Sequence, residues 1–415
     1  MAKKINKKRL LIYSLVFSPD GVSTAYLYND IALGYQKNNY DVTVLTTTPH
    51  YNLIQESLER QPQKKIFFGL FFTSYFNGIK VYHIPLKKYK NSFLRILSFI
   101  YWHFSSFIIG LFLKKPDIIL TPSPPLTSGL ISIILANIKG AKSIYNVQEI
   151  YPDLLINHGR LKNPFIIKFL KILEGWVYNY SDAITTIDQN FYNTIKTRIR
   201  NIYKLKIIPN FVDIELYKTS SSIHLPKIFK KVKGRTDIVY AGNIGNAQEW
   251  DLVINLANDI KKFPIAIWII GEGVKKEYLE SQIKKHGLLN VHLLPYQERR
   301  YMPAINLFAD FHFIAMNKFM EHDGFPSKVY TIMSSGKPMI VVSSKQTPIV
   351  SFLEKTNAAI IVTSHSLVDF KKAVLKLRAN KDLRNKMGIN GRKIVEQEFN
   401  KQVVIKKYIK LAEDI

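Results

Sequence analysis

Apolar residues in this chain gather in short runs bounded by turn formers, and the runs are separated by stretches with helical spacing. In the first half the runs are Leu10 to Phe17, Asp41 to Thr46, Ile79 to Ile84, Ile118 to Thr121, Ala141 to Val147, Ala183 to Ile187 and Lys206 to Ile208. Strands of a parallel sheet read this way, because crossover helices cover both of its faces. The pattern lapses over Pro209 to Arg235, a polar stretch that reads as a linker. It resumes with Asp237 to Tyr240, Ala266 to Ile270, Val291 to Leu294, Phe311 to Ile314, Met339 to Val342 and Ala358 to Val362. The expected fold class is α/β, with two doubly wound parallel-sheet, Rossmann-like domains over residues 1–208 and 236–395. Ligands of such sheets lie beyond the carboxyl ends of the strands, so two of them are expected to face a cleft.

Two apolar stretches need a separate reading. The start, MAKKINKKRLLIYSLVFS, has the basic and apolar parts of a signal peptide, but no small-residue cleavage site follows, and it is read as the first buried strand. The run Phe93 to Leu113 approaches the length of a membrane span and is flanked by Lys87, Lys88, Lys90, Lys114 and Lys115. Arg95, His103, Ser105, Ser106 and Gly110 interrupt it, which favours a helix of the first domain. That helix is expected either to be fully buried or to lie at an anionic membrane surface with Tyr101 and Trp102 at the interface.

Composition narrows the chemistry. The 415 residues include no cysteine, so disulfide, thiolate and iron–sulfur chemistry are excluded. Lys and Arg number 59 against 31 Asp and Glu, a formal net charge of +28, which implies anionic partners such as sugar nucleotide, anionic lipid or nucleic acid.

Candidate chemistry lies in the strand-to-helix turns. Phe17 to Ala25 places Gly21 among small hydroxyl residues, where a phosphate or sugar could approach backbone amides; a GxGxxG fingerprint is absent. In the second domain, Asp237 to Gln248 puts Gly242, Asn243 and Gly245 after a buried strand, and Trp268 to Gly273 ends another strand in Gly271 and Gly273. Both read as close-approach turns for a ligand or as plain connections. Tyr296, after the next strand, could stack on a base or sit in an ordinary loop. The richest segment is EHDGFPSKVYTIMSSGKP, from Glu321 to Pro338. Pro326 at a helix start leaves the amides around Phe325, Ser327 and Lys328 free for a diphosphate, and Lys328 could balance charge on a departing one. Asp323 could accept from sugar hydroxyls or cap the helix. In the first domain, Glu149 and Asp153 follow a strand and are expected to face the ligand, with Glu149 orienting or deprotonating an acceptor hydroxyl.

Together, FSPDGVST, VQEIYPDLLINHG, IIPNFVD, YAGNIGNAQEWD, IIGEG and GFPSKVYTIMSSGKP make the chain resemble family 4 retaining glycosyltransferases, especially the capsule, O-antigen and colanic-acid subgroup that includes L-fucosamine transferases. The resemblance covers nearly the whole chain. It implies the GT-B fold, transfer from a nucleoside-diphosphate sugar with retention and without metal or other cofactor, and a C-terminal segment, 396–415, crossing back to the first domain. Two glutamates that the family places in its donor site correspond here to Asp323 and Thr331, so a carboxylate that would bind the ribose is missing. Asn243 and Gln248 stand where the family carries Arg and Lys, and Glu149 stands for an aspartate.

The expected function is transfer of an N-acetylated aminosugar, UDP-linked, to an undecaprenyl-diphosphate-linked saccharide by a cytoplasmic enzyme peripheral on the inner face of the membrane. A sugar-nucleotide 2-epimerase of the same fold is the first alternative. A basic nucleic-acid-binding protein is the second, although no zinc, helix-turn-helix or aromatic RNA-binding signature accompanies the charge.

Overall fold

In the computed structural model, the strands expected from the sequence assemble into two separate sheets. The structure describes residues 7–415 apart from Asn52, Ile54, Lys88, Lys90, Ser221 and residues 321–324. Residues 1–210 with 402–415 form one compact unit, and residues 211–401 form the other.

The first unit holds β1 (Arg9–Tyr13), β2 (Asp41–Thr47), β3 (Lys64–Ile66), β4 (Phe71–Phe76), β5 (Ile79–Ile84), β6 (Ile118–Ser123), β7 (Lys142–Val147), β8 (Ala183–Thr186) and β9 (Leu205–Ile207). Their order is β3-β4-β5-β2-β1-β6-β7-β8-β9, and β4 alone runs against its neighbours. The β3–β4 hairpin is an edge that the hydrophobic pattern did not reveal. The first strand also ends sooner than its apolar run, at Tyr13, because Ser14 turns the backbone and its hydroxyl donates to the Val16 carbonyl at 2.8 Å.

Four helices of this unit matter for function: α1 (Ser23–Lys37), α2 (Ser92–Phe112), α3 (Leu126–Lys139) and α4 (Pro164–Tyr180). Asn91 and Asn163 cap α2 and α4, each side-chain oxygen accepting from two amides of the first turn. Gly140, left-handed at φ 59°, ends α3. α2, α3 and α4 lie side by side on one face, with α3 between the other two. Right-handed crossover puts α1 on the opposite face, since β1 to β2 steps the other way along the sheet.

One face of α2 is pinned to the sheet. Trp102 is fully buried and stacks on Tyr13 at 5.3 Å between ring centres, and the Tyr13 hydroxyl lies 2.8 Å from Ser106 Oγ. This corrects two expectations. Trp102 is core rather than interfacial, and α2 is not fully buried, since only 17% of its long apolar stretch is enclosed.

The second unit contains β10 (Thr236–Ala241), α5 (Trp250–Asp259), β11 (Ile265–Ile270), β12 (Val291–Leu294), β13 (Phe311–Ala315), α6 (Lys328–Ser334), β14 (Met339–Val342) and β15 (Ala359–Val362). The order β12-β11-β10-β13-β14-β15 is parallel throughout. Phe211–Arg235 carries no helix or regular strand among its described residues, yet it packs with this unit, where Phe229 stacks on Trp268 at 5.4 Å. The last helix, α7 (Lys401–Asp414), returns to the first unit: Ile405 meets Gly34 of α1, and the Tyr35 hydroxyl donates to the Tyr408 carbonyl at 2.9 Å.

Candidate active site

The second unit builds its site from two interlaced glycine turns. Gly242 N donates to the Ile270 carbonyl at 2.9 Å, Ile244 N to the Glu272 carbonyl at 2.8 Å, and Gly271 N to the Leu294 carbonyl at 3.0 Å. The turns after β10 and β11 therefore lie against each other backbone to backbone. A Cβ on Gly271 would sit 1.9 Å from the Gly242 carbonyl oxygen, and one on Gly273 would sit 2.2 Å from that of Ile244. Their φ values of 154° and 157° also favour glycine. Gly245 differs, because its hypothetical Cβ would meet only the Asn243 side-chain amide.

Lys328 enters this arrangement from the start of α6. Its Nζ lies 3.7 Å from the centre of the Tyr240 ring and would be 2.7 Å from a Cβ on Gly242. The residue as a whole is half-buried, but its ammonium end is the enclosed part. Burial pushes its pKa down to about 7, and no carboxylate among the described residues offsets that. An enclosed cation held over an aromatic face, beside a glycine that has no Cβ to crowd it, is a place for an anion. Tyr240, which the motif reading passed over, fixes this geometry: its hydroxyl donates to the Asn243 carbonyl at 2.6 Å. Its position two residues before Gly242 was the only available signal.

The other expected residues separate into groups. Ser327 is exposed at the start of α6, and the Thr331 hydroxyl donates to the Lys328 carbonyl at 2.9 Å. Phe325 does not present its ring as a ligand surface. It stacks on Tyr330 at 5.0 Å and meets Phe352 edge-on, inside the second unit's core. Tyr296 is exposed after β12, and Asp323 lies outside the described residues. The Gln248 backbone bridges to Met316, while its side-chain oxygen is buried without a partner among the described residues.

In the first unit, Gly21 and Glu149 both follow strand ends. Gly21 N donates to the Tyr51 carbonyl at 2.9 Å, and the buried Asp20 carboxylate accepts from the His50 and Tyr51 amides at 2.8 and 2.7 Å. Asp20 was not singled out from the sequence; an acid beside a glycine turn gives no sign of a long-range amide clamp. Ser123 ties down the Glu149 backbone, its hydroxyl donating to the Glu149 carbonyl at 2.8 Å. Glu149 itself is half-buried, and the Tyr151 pKa is pushed up to about 12 by burial and then by the Glu149 charge.

Asp153 is not free to meet a ligand, contrary to the expectation. It forms ion pairs with Lys171 and Arg198, and Arg198 also reaches the buried Glu174 at 2.6 Å. Burial opposes ionisation of Asp153, but the two cations outweigh it and hold its pKa below the usual range. Asp153→Ala is expected to lower stability by about 2 kcal/mol while leaving turnover unchanged below the melting transition. Calorimetry and steady-state assays check this; lost turnover at an unchanged melting temperature would return Asp153 to the site. Among the described residues, no three His, Cys, Asp or Glu side chains converge to hold a metal.

The fold agrees with comparisons to known proteins. Residues 223–394 match the family model described as glycosyl transferases group 1. WcaI of Escherichia coli K12, a glycosyl transferase provisionally assigned to colanic acid biosynthesis, is 20% identical over 97% of this chain and 98% of its own length. Sucrose-phosphate synthase of Thermosynechococcus elongatus superposes with a TM-score of 0.74 at 11% identity, covering 98% of this chain and 99% of its own. Anabaena Alr3699/HepE, solved with UDP and glucose, gives 0.71 at 14% identity over 99% and 100%. The chain has the GT-B fold, carries a group 1 glycosyltransferase domain over residues 223–394, and is a glycosyltransferase.

Proposed function

We propose that the protein is a retaining, family 4 glycosyltransferase of the L-fucosamine transferase type, acting in capsule or O-antigen biosynthesis. It moves an N-acetylated aminosugar from a UDP-sugar to an undecaprenyl-diphosphate-linked saccharide at the cytoplasmic face of the membrane. The observation that carries this reading is the enclosed Lys328 ammonium over Tyr240, beside the Gly242 and Gly271 turns. A nucleoside diphosphate supplies an anion to pair with that ammonium, and Lys328 stabilises the charge that grows on it as the glycosidic bond breaks. The acceptor oxygen attacks from the face the diphosphate leaves, and its proton passes to the departing oxygen. Glu149 orients that acceptor hydroxyl. No step in this scheme draws on a metal. The UDP bound to HepE and the provisional assignment of WcaI to colanic acid biosynthesis support the donor and pathway.

Thermal-shift measurements with UDP-, GDP- and dTDP-sugars, in buffer without divalent metal, test the donor. Stabilisation by the UDP compounds is expected, rising with ligand concentration as binding to the native state alone requires. A response to GDP or dTDP compounds alone would replace the donor assignment.

A further inference from the structure

We propose that the outer face of α2, α3 and α4 docks in the plane of an anionic lipid bilayer. This deepens the transferase reading, since an acceptor carried on a lipid must be met at a membrane. The three helices cover one side of one sheet, so their outward stripes form a broad apolar surface rather than a groove. On α2 the stripe is Phe93, Leu97, Ile100 and Phe104; α3 adds Ile134 and Ile138. On α4, Phe165, Phe169, Ile172, Trp176 and Tyr180 recur at helical spacing and are all exposed, opposite the face that buries Glu174 and Tyr178. Monomeric soluble proteins rarely leave so much contiguous apolar surface in water.

Charge selects the occupant. Glu174 is the only acidic residue on the three helices, and it is buried in the Asp153 ion-pair cluster. Arg95, Lys114, Lys115, Lys162 and Lys168 are exposed on or beside the helices and form no ion pair among the described residues. An apolar field with a basic rim suits anionic headgroups over acyl chains, whereas a second copy would set like charges against each other. A further aromatic tip stands beside α2: Phe68 is fully exposed, Phe67 and Phe68 both have positive φ, and the Tyr101 hydroxyl donates to the Leu70 carbonyl at 3.3 Å. α2 is long and apolar enough to span a bilayer, but the Trp102 stack and the Ser106 hydrogen bond hold it along the sheet. It therefore lies in the interface.

Trp176 is 56% exposed, while Trp102, Trp250 and Trp268 are buried, so its fluorescence reports the face directly. The full-length chain is mixed with vesicles of phosphatidylglycerol and phosphatidylethanolamine, or of phosphatidylcholine alone, and sedimented. Binding to the anionic vesicles, a blue shift, and quenching by brominated lipid are expected. Phe169→Glu with Trp176→Glu, and separately Phe93→Glu with Phe104→Glu, should each weaken partition about a hundredfold. Their circular dichroism and nucleotide-induced thermal shift should not change. Lack of wild-type binding, or partition unaffected by both double variants, overturns the proposal. So does a concentration-dependent dimer in light scattering that either variant disperses, because a second copy would then own the face. Loss of the nucleotide response in the wild type, with vesicle binding intact, would count against the transferase reading alone.

Discussion

Replacing Lys328 by alanine is expected to lower kcat/KM by about 10²- to 10³-fold with the fold intact, the usual loss when one preorganised charge stabiliser is removed. The ammonium is enclosed over Tyr240 with no described carboxylate to compensate it. Its removal therefore relieves a burial cost in the empty protein and takes away the partner of the leaving diphosphate. The same residue sets a pH dependence. In the free protein Lys328 titrates at about 7, and a bound diphosphate raises that value. Above pH 7 binding must take up a proton, so affinity falls as pH rises, by up to about tenfold per unit. Stability runs the other way. Between about 7 and the ordinary lysine value near 10.4, the unfolded chain holds a proton that the native one has lost, so the empty protein gains stability as pH rises through that window. Lys328→Met should flatten the binding curve and reduce the stability slope, leaving the part due to Lys337, which burial holds down to about 8. Calorimetric titrations of nucleotide, and thermal melts across the window, read the two effects separately; unchanged slopes in the variant would assign them to another group.

Gly271→Ala is expected to destabilise the second unit by about 3–5 kcal/mol and to abolish nucleotide binding with it. The added Cβ would fall 1.9 Å from the Gly242 carbonyl oxygen, and backbone on both sides leaves nothing free to move. The left-handed φ adds to the strain. Gly245→Ala is the matched control. Its Cβ would meet only the Asn243 side chain, which can rotate, so a cost of about 1 kcal/mol or less is expected. Melting curves of the two variants check the contrast, and similar losses in both would mean that the interlocked backbones are not what requires Gly271.

These effects show which parts of the molecule were legible in the sequence. Buried parallel strands such as β10, β11 and β14 are continuous apolar runs ending in glycine or polar turns, so both their existence and their ligand-bearing ends could be read. The β3–β4 hairpin could not, because a three-residue edge strand leaves too short a pattern. Lys328 was legible through its place after Pro326, whereas Tyr240 looked like one more apolar strand residue. Burial was misjudged for α2 because a helix that is apolar all round gives no sign of which side meets the sheet; Trp102 proved to be core and Phe104 exposed. Asp153 misled for a different reason: its partners Lys171 and Arg198 lie on later segments that only the fold brings together.

The most direct test of the account is to incubate the full-length protein with a UDP-linked N-acetylated aminosugar and an undecaprenyl-diphosphate-linked saccharide, following both products by mass spectrometry and NMR. One acceptor should gain one sugar for each UDP released, with the donor's anomeric configuration kept, and neither product should form without the acceptor. Conversion of the donor without any acceptor, or an inverted linkage in the product, would contradict it.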